Sequence, residues 1–259
     1  MTEITVELID VMGNDLKVVN AARRSFGAEV TEIGKREVGL IRYLARGMPE
    51  EEWVNFAEKM AWGSSDRQKI KDRLNEYRDT STHWTPFAHC YMTFHVQMPI
   101  FISRQLIRHT VGVTISEMSR RYVKSDPEYW FPKEGEWRLA ADNVKQGSSK
   151  EFLTGVQAVE WHKAVQDYCQ QGLELYRKGV DKYKVAPELA RIILNLNSMT
   201  DWHWTISLVT AARVCKQRFN AHAQKEIQDL AQKINEQTYK AFPICWTALM
   251  TNGTEEIEP

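Results

Sequence analysis

Residues 2–10, TEITVELID, alternate polar and apolar side chains, with Ile4, Val6 and Leu8 on one face. A period of two predicts a strand. Gly13-Asn14-Asp15 breaks that alternation, and Asn14 or Asp15 can cap a helix in LKVVNAARR, residues 16–24. A charged helical pattern covers residues 35–78 and includes RGMPEEEWVNFAEKM, where Pro49 suits a helix start. HCYMTFHVQ at 89–97 is rich in β-formers and predicts a second strand. Pro99 then opens a helix in PIFISRQLIRH, residues 99–109. TVGVTI at 110–115 reads as a turn or short extended piece, and SEMSRRYV at 116–123 as a strand or extended loop. Residues 126–150 read as a loop. Between 150 and 180, Phe152, Val156, Val159, Val165, Tyr168, Gly172 and Leu175 keep helical spacing. PELARIIL, WHWTISLVTAARVCKQR and HAQKEIQDLAQKINEQTYKAF predict further helices. The class is α+β with a helix-rich C-terminal half, organised as a single domain over 1–259.

Composition narrows the partners. The chain has 259 residues, with Lys+Arg and Asp+Glu both at 34, so its net charge is zero. A duplex-binding domain carries a basic excess, so no nucleic-acid partner is expected. No apolar run reaches the roughly 18 residues of a membrane span, and no basic-then-apolar leader opens the chain, so a cytoplasmic protein without membrane contact is expected. Cys90, Cys169, Cys215 and Cys245 are widely spaced, which predicts small buried side chains with reduced thiols.

With no net charge overall, the crowding of Arg104, Arg108, His109, Arg120 and Arg121 into RQLIRHTVGVTISEMSRRY is local. Arg104 and Arg108 are four apart and share a helix face. Guanidinium is always charged and presents a planar fork that suits phosphate oxygens and a base edge. Arg108, Arg120 and Arg121 with Glu117 and Ser119 therefore make a candidate anion site. Arg191 and Arg218 each lie in an apolar helical pattern, where the ordinary role is packing with the head in water. His83, His89 and His95 are evenly spaced, but Pro86 interrupts any shared face and no zinc-type spacing occurs, so no metal is expected. Ser119 lacks a nucleophile elbow, and neither GxGxxG nor GxxxxGK[ST] is present. The residues by themselves point to a cationic pocket for a phosphorylated small molecule.

The motif carries more than charge. QLIRH at 105–109 followed by SEMSRRY at 116–122 resembles the signature of the flavin-dependent thymidylate synthases: an Arg-His-Arg triplet, a short spacer, then Asn-Glu-x-Ser-x-Arg-Tyr. VELIDVMGNDLKVVNAARRSF at 6–26, HWTPFAH at 83–89 with TFHVQMPIFISRQ, and ARIILNLN at 190–197 with RFNAHAQKEIQ at 218–228 are similar to three further blocks of that family, in order. The resemblance implies an antiparallel sheet with helices packed on it. It implies reductive methylation of dUMP to dTMP, with methylenetetrahydrofolate as carbon donor and FAD reduced by NADPH as hydride source. It implies a homotetramer with active sites between subunits and no enzyme nucleophile. Arg218 matches the arginine that polarises the base, an electrostatic role. Gln105, Arg108, Glu117, Ser119, Arg120, Arg121 and Arg191 match the rest of the dUMP site. Thr85, Arg108, His109 and Glu117 match flavin contacts, and His83 a histidine beside the flavin.

This chain also departs from the pattern. Thr110 ends the triplet in place of arginine, one residue is inserted between His109 and Glu117, and Ser116 replaces asparagine. Arg120 stands where the family often has glycine. Where the family often has Asn-x-Arg and then Asn for the flavin, this chain has Ser207, Val209 and Arg213. Thr110, Ser207 and Arg213 are thus the cofactor-side candidates. Two other readings stay open: C5 methylation or hydroxymethylation of another pyrimidine deoxynucleotide such as dCMP, and a non-catalytic nucleotide-binding protein.

Overall fold

The structure is a computed structural model and describes residues 2–47, 83–123, 125–142 and 147–259. The helical pattern expected around Pro49 and on to residue 78 lies outside the described residues.

Four strands form one antiparallel sheet: β1 (Thr5–Met12), β2 (Tyr91–Pro99), β3 (Val113–Glu117) and β6 (Met199–Ser207), in the order β1-β2-β6-β3. Two short strands, β4 (Arg138–Ala140) and β5 (Ser148–Phe152), pair separately, in the segment 126–150 expected to be a loop and on into the start of the expected helix. The main sheet has one apolar face. Val6 on β1, Met92, Phe94, Val96 and Met98 on β2, and Trp202, Trp204 and Ile206 on β6 are all buried. Their spacing follows the strand period of two. Trp204→Ala at the centre of this face would cost roughly 3–5 kcal/mol. The opposite face is polar: His95 Nε2 meets Asp201 Oδ2 at 2.8 Å, Gln97 donates to the same oxygen at 3.0 Å, and Thr93 bonds Thr205 at 2.9 Å.

Helices α1 (Asp15–Arg23), α2 (Lys35–Ala45), α3 (Ile100–Leu106), α5 (Leu208–Arg218), α6 (Lys225–Ala241) and α7 (Pro243–Met250) share the core on the apolar face, whereas α4 (Gly155–Arg177) packs in a core of its own. Asn14 caps α1 as expected, its Oδ1 accepting from Lys17 N at 2.9 Å. Asp15 does a different job: its buried carboxylate accepts from Ile244 N and Cys245 N, at 3.2 and 2.9 Å. It thereby satisfies orphan donors at the N-terminus of α7 and ties both ends of the chain together. All four cysteines are buried and free, as their spacing predicts. Among the described residues no helix is long and apolar enough to cross a membrane.

Two expectations change. WHWTISLVTAARVCKQR is not one helix, because Met199–Ser207 is a strand and the helix begins only at Leu208. Trp202, Trp204 and Ile206 alternate with His203 and Thr205, and in the sheet this alternation takes precedence over the helical reading. The helix expected from 150 forms from Gly155, but on another face. It buries Ala158, His162, Cys169, Leu173 and Tyr176, while Val156, Val159, Tyr168 and Leu175 are exposed. Leu173, Tyr176 and Ala190 form a small separate core against Tyr129, Ile193 and Leu194, and this core selects the buried face.

Candidate active site

Strand β2 runs into α3 through Pro99, whose ring ends the ladder by removing a donor. The first free N–H groups of α3 are accepted by the chain next to β6: Ile100 N bonds Ser198 O and Phe101 N bonds Leu196 O, both at 3.0 Å. Helix α3 is thus pinned at its start, and its C-terminal carbonyls face the end of α5.

Arg218 occupies the last turn of α5 and lies across those carbonyls. Its Nη2 donates to Gln105 O at 2.8 Å and meets His109 Nε2 at 3.0 Å. Guanidinium can only donate, so His109 Nε2 accepts and the imidazole is neutral, with its proton on Nδ1. Burial, the charge of Arg218 and then that of Arg213 push the His109 pKa down to about 4. Burial also lowers the Arg218 pKa, and its Nε is enclosed without a partner. Arg218 is thereby held through Nη2. Gln105 is fixed from the other direction, its Nε2 donating to Gln224 Oε1 at 2.8 Å.

The exit of β3 approaches the same end of β6. Glu117 accepts from Thr200 Oγ1 at 2.5 Å, two residues from the Ser198 carbonyl that holds α3. Beyond it, Ser119 Oγ accepts from Arg121 N and Arg121 Nε at 3.3 and 3.2 Å. Arg108 is exposed just past α3. Arg120 turns away, its Nη1 donating to Ser125 O at 2.7 Å. Arg191 lies in the helical turn Arg191–Ile193, exposed, with its Nε on Glu188 O at 3.3 Å. Among the described residues no bond joins it to the Arg218 group.

Thr110, Ser207, Arg213 and the turn Thr85–His89 lie toward the Ser207 end of β6, away from Glu117, which pairs with Trp202. Leu208 N donates to Cys90 O at 2.9 Å, setting the start of α5 beside the turn Thr85–His89. Thr110 is exposed in the adjoining turn, and Arg213 on α5 is exposed with its Nη2 3.5 Å from Val111 O. Ser207 is placed differently: it is buried, and its hydroxyl donates to Thr210 Oγ1 at 2.9 Å, which in turn donates to Val111 O at 2.8 Å. That hydroxyl serves the fold rather than an exposed surface. His83 stacks on Tyr43 at 5.2 Å between ring centroids, with the Arg46 guanidinium 4.0 Å from the Tyr43 ring.

The sequence model of the family described as thymidylate synthase complementing protein matches residues 7–244. The chain belongs to this family. Among curated members, the flavin-dependent thymidylate synthase of Treponema denticola is 32% identical over 93% of this chain and 74% of its own length. The enzyme of the same name from Thermotoga neapolitana is 32% identical over 92% of this chain and 89% of its own length. This family member also shares its fold with PolB of Streptomyces cacaoi, a UMP/dUMP methylase solved with 5-Br dUMP. That match has a TM-score of 0.72 and 24% identity, over 100% of this chain and 98% of the other.

Four residues of the site escaped sequence reasoning. Gln224 stands inside RFNAHAQKEIQ but has no charge to mark it. Thr200 and Thr210 act through hydroxyls, and Tyr43 reaches His83 across a long sequence separation. None of the four carries a local signal.

Proposed function

We propose that this family member methylates C5 of dUMP to give dTMP, taking the carbon from methylenetetrahydrofolate. One observation carries the reading most strongly: Arg218 is charged, half-enclosed and immobilised by the Gln105 carbonyl and a neutral His109. A fixed cation of this kind stabilises negative charge developing on the N3/O2 edge of a uracil, and it does so without reorganising. Gln105, Arg108, Glu117, Ser119 and Arg121 supply the donors and acceptor for the sugar and phosphate. A nucleophile is not required of the cysteines, since all four are buried and burial raises the thiol pKa of Cys90 to about 11.

Arg108, Thr110 and Arg213 fit a flavin dinucleotide by the chemistry of the donor set. They are two exposed guanidiniums and a hydroxyl around a neutral histidine, a combination suited to a pyrophosphate. These residues would hold FAD, with His83 and Thr85 toward its ring. When bound and reduced by NADPH, FAD supplies the hydride. The protein's part is to bind and orient the nucleotide and to keep Arg218 charged beside an uncharged imidazole.

We further infer a homotetramer, because Arg191 is exposed and, among the described residues, no bond joins it to the Arg218 group of its own chain. A second copy can bring it to the nucleotide. The deciding experiment incubates the protein with FAD, NADPH, methylenetetrahydrofolate and either dUMP or dCMP, and weighs the nucleotide. A gain of one CH2 on dUMP is expected. Modification of dCMP alone, or of neither nucleotide, would overturn the reading.

A further inference from the structure

Arg120 and Arg121 are consecutive but leave their turn in opposite directions. Tyr122 N and Val123 N both bond Ser119 O, at 3.0 and 3.1 Å, so the chain closes tightly after Ser119. Arg121 folds back over that turn onto Ser119 Oγ, and its guanidinium lies 5.1 Å from the Tyr122 ring centroid. It is exposed. Arg120 points behind the turn, with Nη1 on Ser125 O at 2.7 Å and an enclosed Nε that has no partner among the described residues.

The groups acting on Arg120 belong to one region. Burial lowers its pKa, opposed by Tyr176, Tyr129, Glu128 and Asp126. Tyr176 lies on the buried face of α4. Asp126 is gripped by Arg177, the last residue of α4, through Nε to Oδ1 at 2.9 Å and a second bond from Nη2 to Oδ2. No bond of Arg120 reaches Gln105, His109 or Arg218. A desolvated guanidinium is costly to place, and it is kept only where its surroundings hold it in one position. Here the link from the 119–123 turn to α4 runs through the next segment: Arg120 holds Ser125 O, and the adjacent Asp126 is held by Arg177 of α4.

We propose that Arg120 is a positioning residue that fastens the Ser119–Arg121 turn to α4 and so sets nucleotide affinity without touching the nucleotide. The proposal rests on the nucleotide reading above. Where the family often has glycine, this chain has gained an anchor. Freed from it, the Ser119 hydroxyl and the Arg121 guanidinium sample more orientations and meet the nucleotide less often, which is a cost in binding rather than in chemistry.

Two variants test this: Arg120→Met, and Arg177→Met, which frees Asp126 at the far side of the same anchor. Steady-state kinetics should show KM for dUMP raised about tenfold in Arg120→Met, with kcat within about twofold. Arg177→Met should raise KM in the same sense, and the double variant should be no worse than Arg120→Met alone, because both remove one anchor. An additive double variant, or a silent Arg177→Met beside a strong Arg120→Met, would show that Arg120 meets the nucleotide itself. Unchanged KM in Arg120→Met, with lowered thermal stability only, would also overturn the proposal. Hydrogen exchange at Tyr122 N and Val123 N gives an answer that does not depend on substrate. Both amides should exchange at least about tenfold faster in each variant, and wild-type protection would refute the anchor even if dUMP proves not to be the substrate.

Discussion

Arg218 Nη2 lies 3.0 Å from His109 Nε2, and this contact requires the histidine to be uncharged. The pair links the end of α5 to the end of α3, and a second bond from Nη2, to Gln105 O at 2.8 Å, further restrains the guanidinium. A charged group meant to polarise a substrate gains from being fixed before the substrate arrives. Arg218→Ala should therefore lower the turnover of dUMP by ~100-fold or more while leaving the fold intact, as read by circular dichroism. Arg218→Lys should recover little, because an ammonium cannot bond two fixed acceptors and a base edge in one plane. Activity within a few-fold of wild type in either variant would remove Arg218 from the chemistry.

The same pair gives the protein a pH signature. His109 is held at a pKa of about 4, below the ordinary 6.5. As pH falls through 6.5 the unfolded chain binds a proton at this residue and the folded chain does not, so stability declines from there down to about pH 4. The linkage is worth up to about 3 kcal/mol at the acid end. His109→Gln keeps an acceptor for Arg218 and does not titrate. Urea denaturation at pH 7 and pH 5 should show a smaller loss in His109→Gln than in wild type. Equal losses would mean that His109 is not the group responsible.

Gly112 joins the two ends of the site. It has φ +69°, and a Cβ there would sit 2.6 Å from Ser207 Oγ and 2.9 Å from Thr210 Oγ1. Ser207 and Thr210 are buried, and they hold the turn through Val111 O, so neither can yield cheaply. Gly112→Ala should destabilise the protein by about 2 kcal/mol or more. A lowered urea midpoint with an unchanged slope would confirm it, and an unaltered midpoint would show that the turn relaxes freely.

How much of this was legible beforehand depended on the range of the signal. Alternation in TEITVELID and the Asn14 cap are local, and both stand in the structure. Met199–Ser207 was readable in principle from the alternation of Trp202, Trp204 and Ile206, but the helical run that follows without a break obscured it. On α4 the apolar residues are spread around the cylinder, and only contact with Tyr129, Ile193 and Leu194 selects the buried face. The site divides in the same way. Arg218, Arg108 and Arg121 become candidates by charge and motif. The opposite headings of Arg120 and Arg121 follow from a turn that closes on Ser119 O, and the inward pointing of Ser207 follows from a hydroxyl partner three residues on.

Arg191 is exposed and bonds Glu188 O rather than the Arg218 group, and this makes a prediction about assembly. If a second copy completes the site, Arg191→Ala and Arg218→Ala should each be nearly inactive alone. Refolded together, they should recover activity in those sites that draw each residue from an intact copy, about a quarter for random assembly of two chains. Light scattering should give about four chains per particle, consistent with closed symmetry. Failure of the mixture to regain activity, in a preparation shown to exchange subunits, would place both arginines in one chain's site.

The cofactor side makes the last prediction. Thr110 is short, Val209 is apolar and Ser207 is spent inside the fold, so Arg213 and Arg108 are the principal cations left to meet a dinucleotide there. Each missing contact removes about 1 kcal/mol or more, and two or three together weaken binding ~100-fold. The protein should therefore purify with little flavin yet bind added FAD in the micromolar range, more tightly with dUMP present. Arg213 is exposed on α5 beside Val111 O, and its removal takes away a charge-assisted contact. Arg213→Ala should weaken FAD by a further ~10-fold or more, read by flavin fluorescence without any turnover, while Arg213→Lys keeps part of the affinity. An Arg213→Ala protein that binds FAD as wild type does would show that this arginine serves only the solvent face of α5.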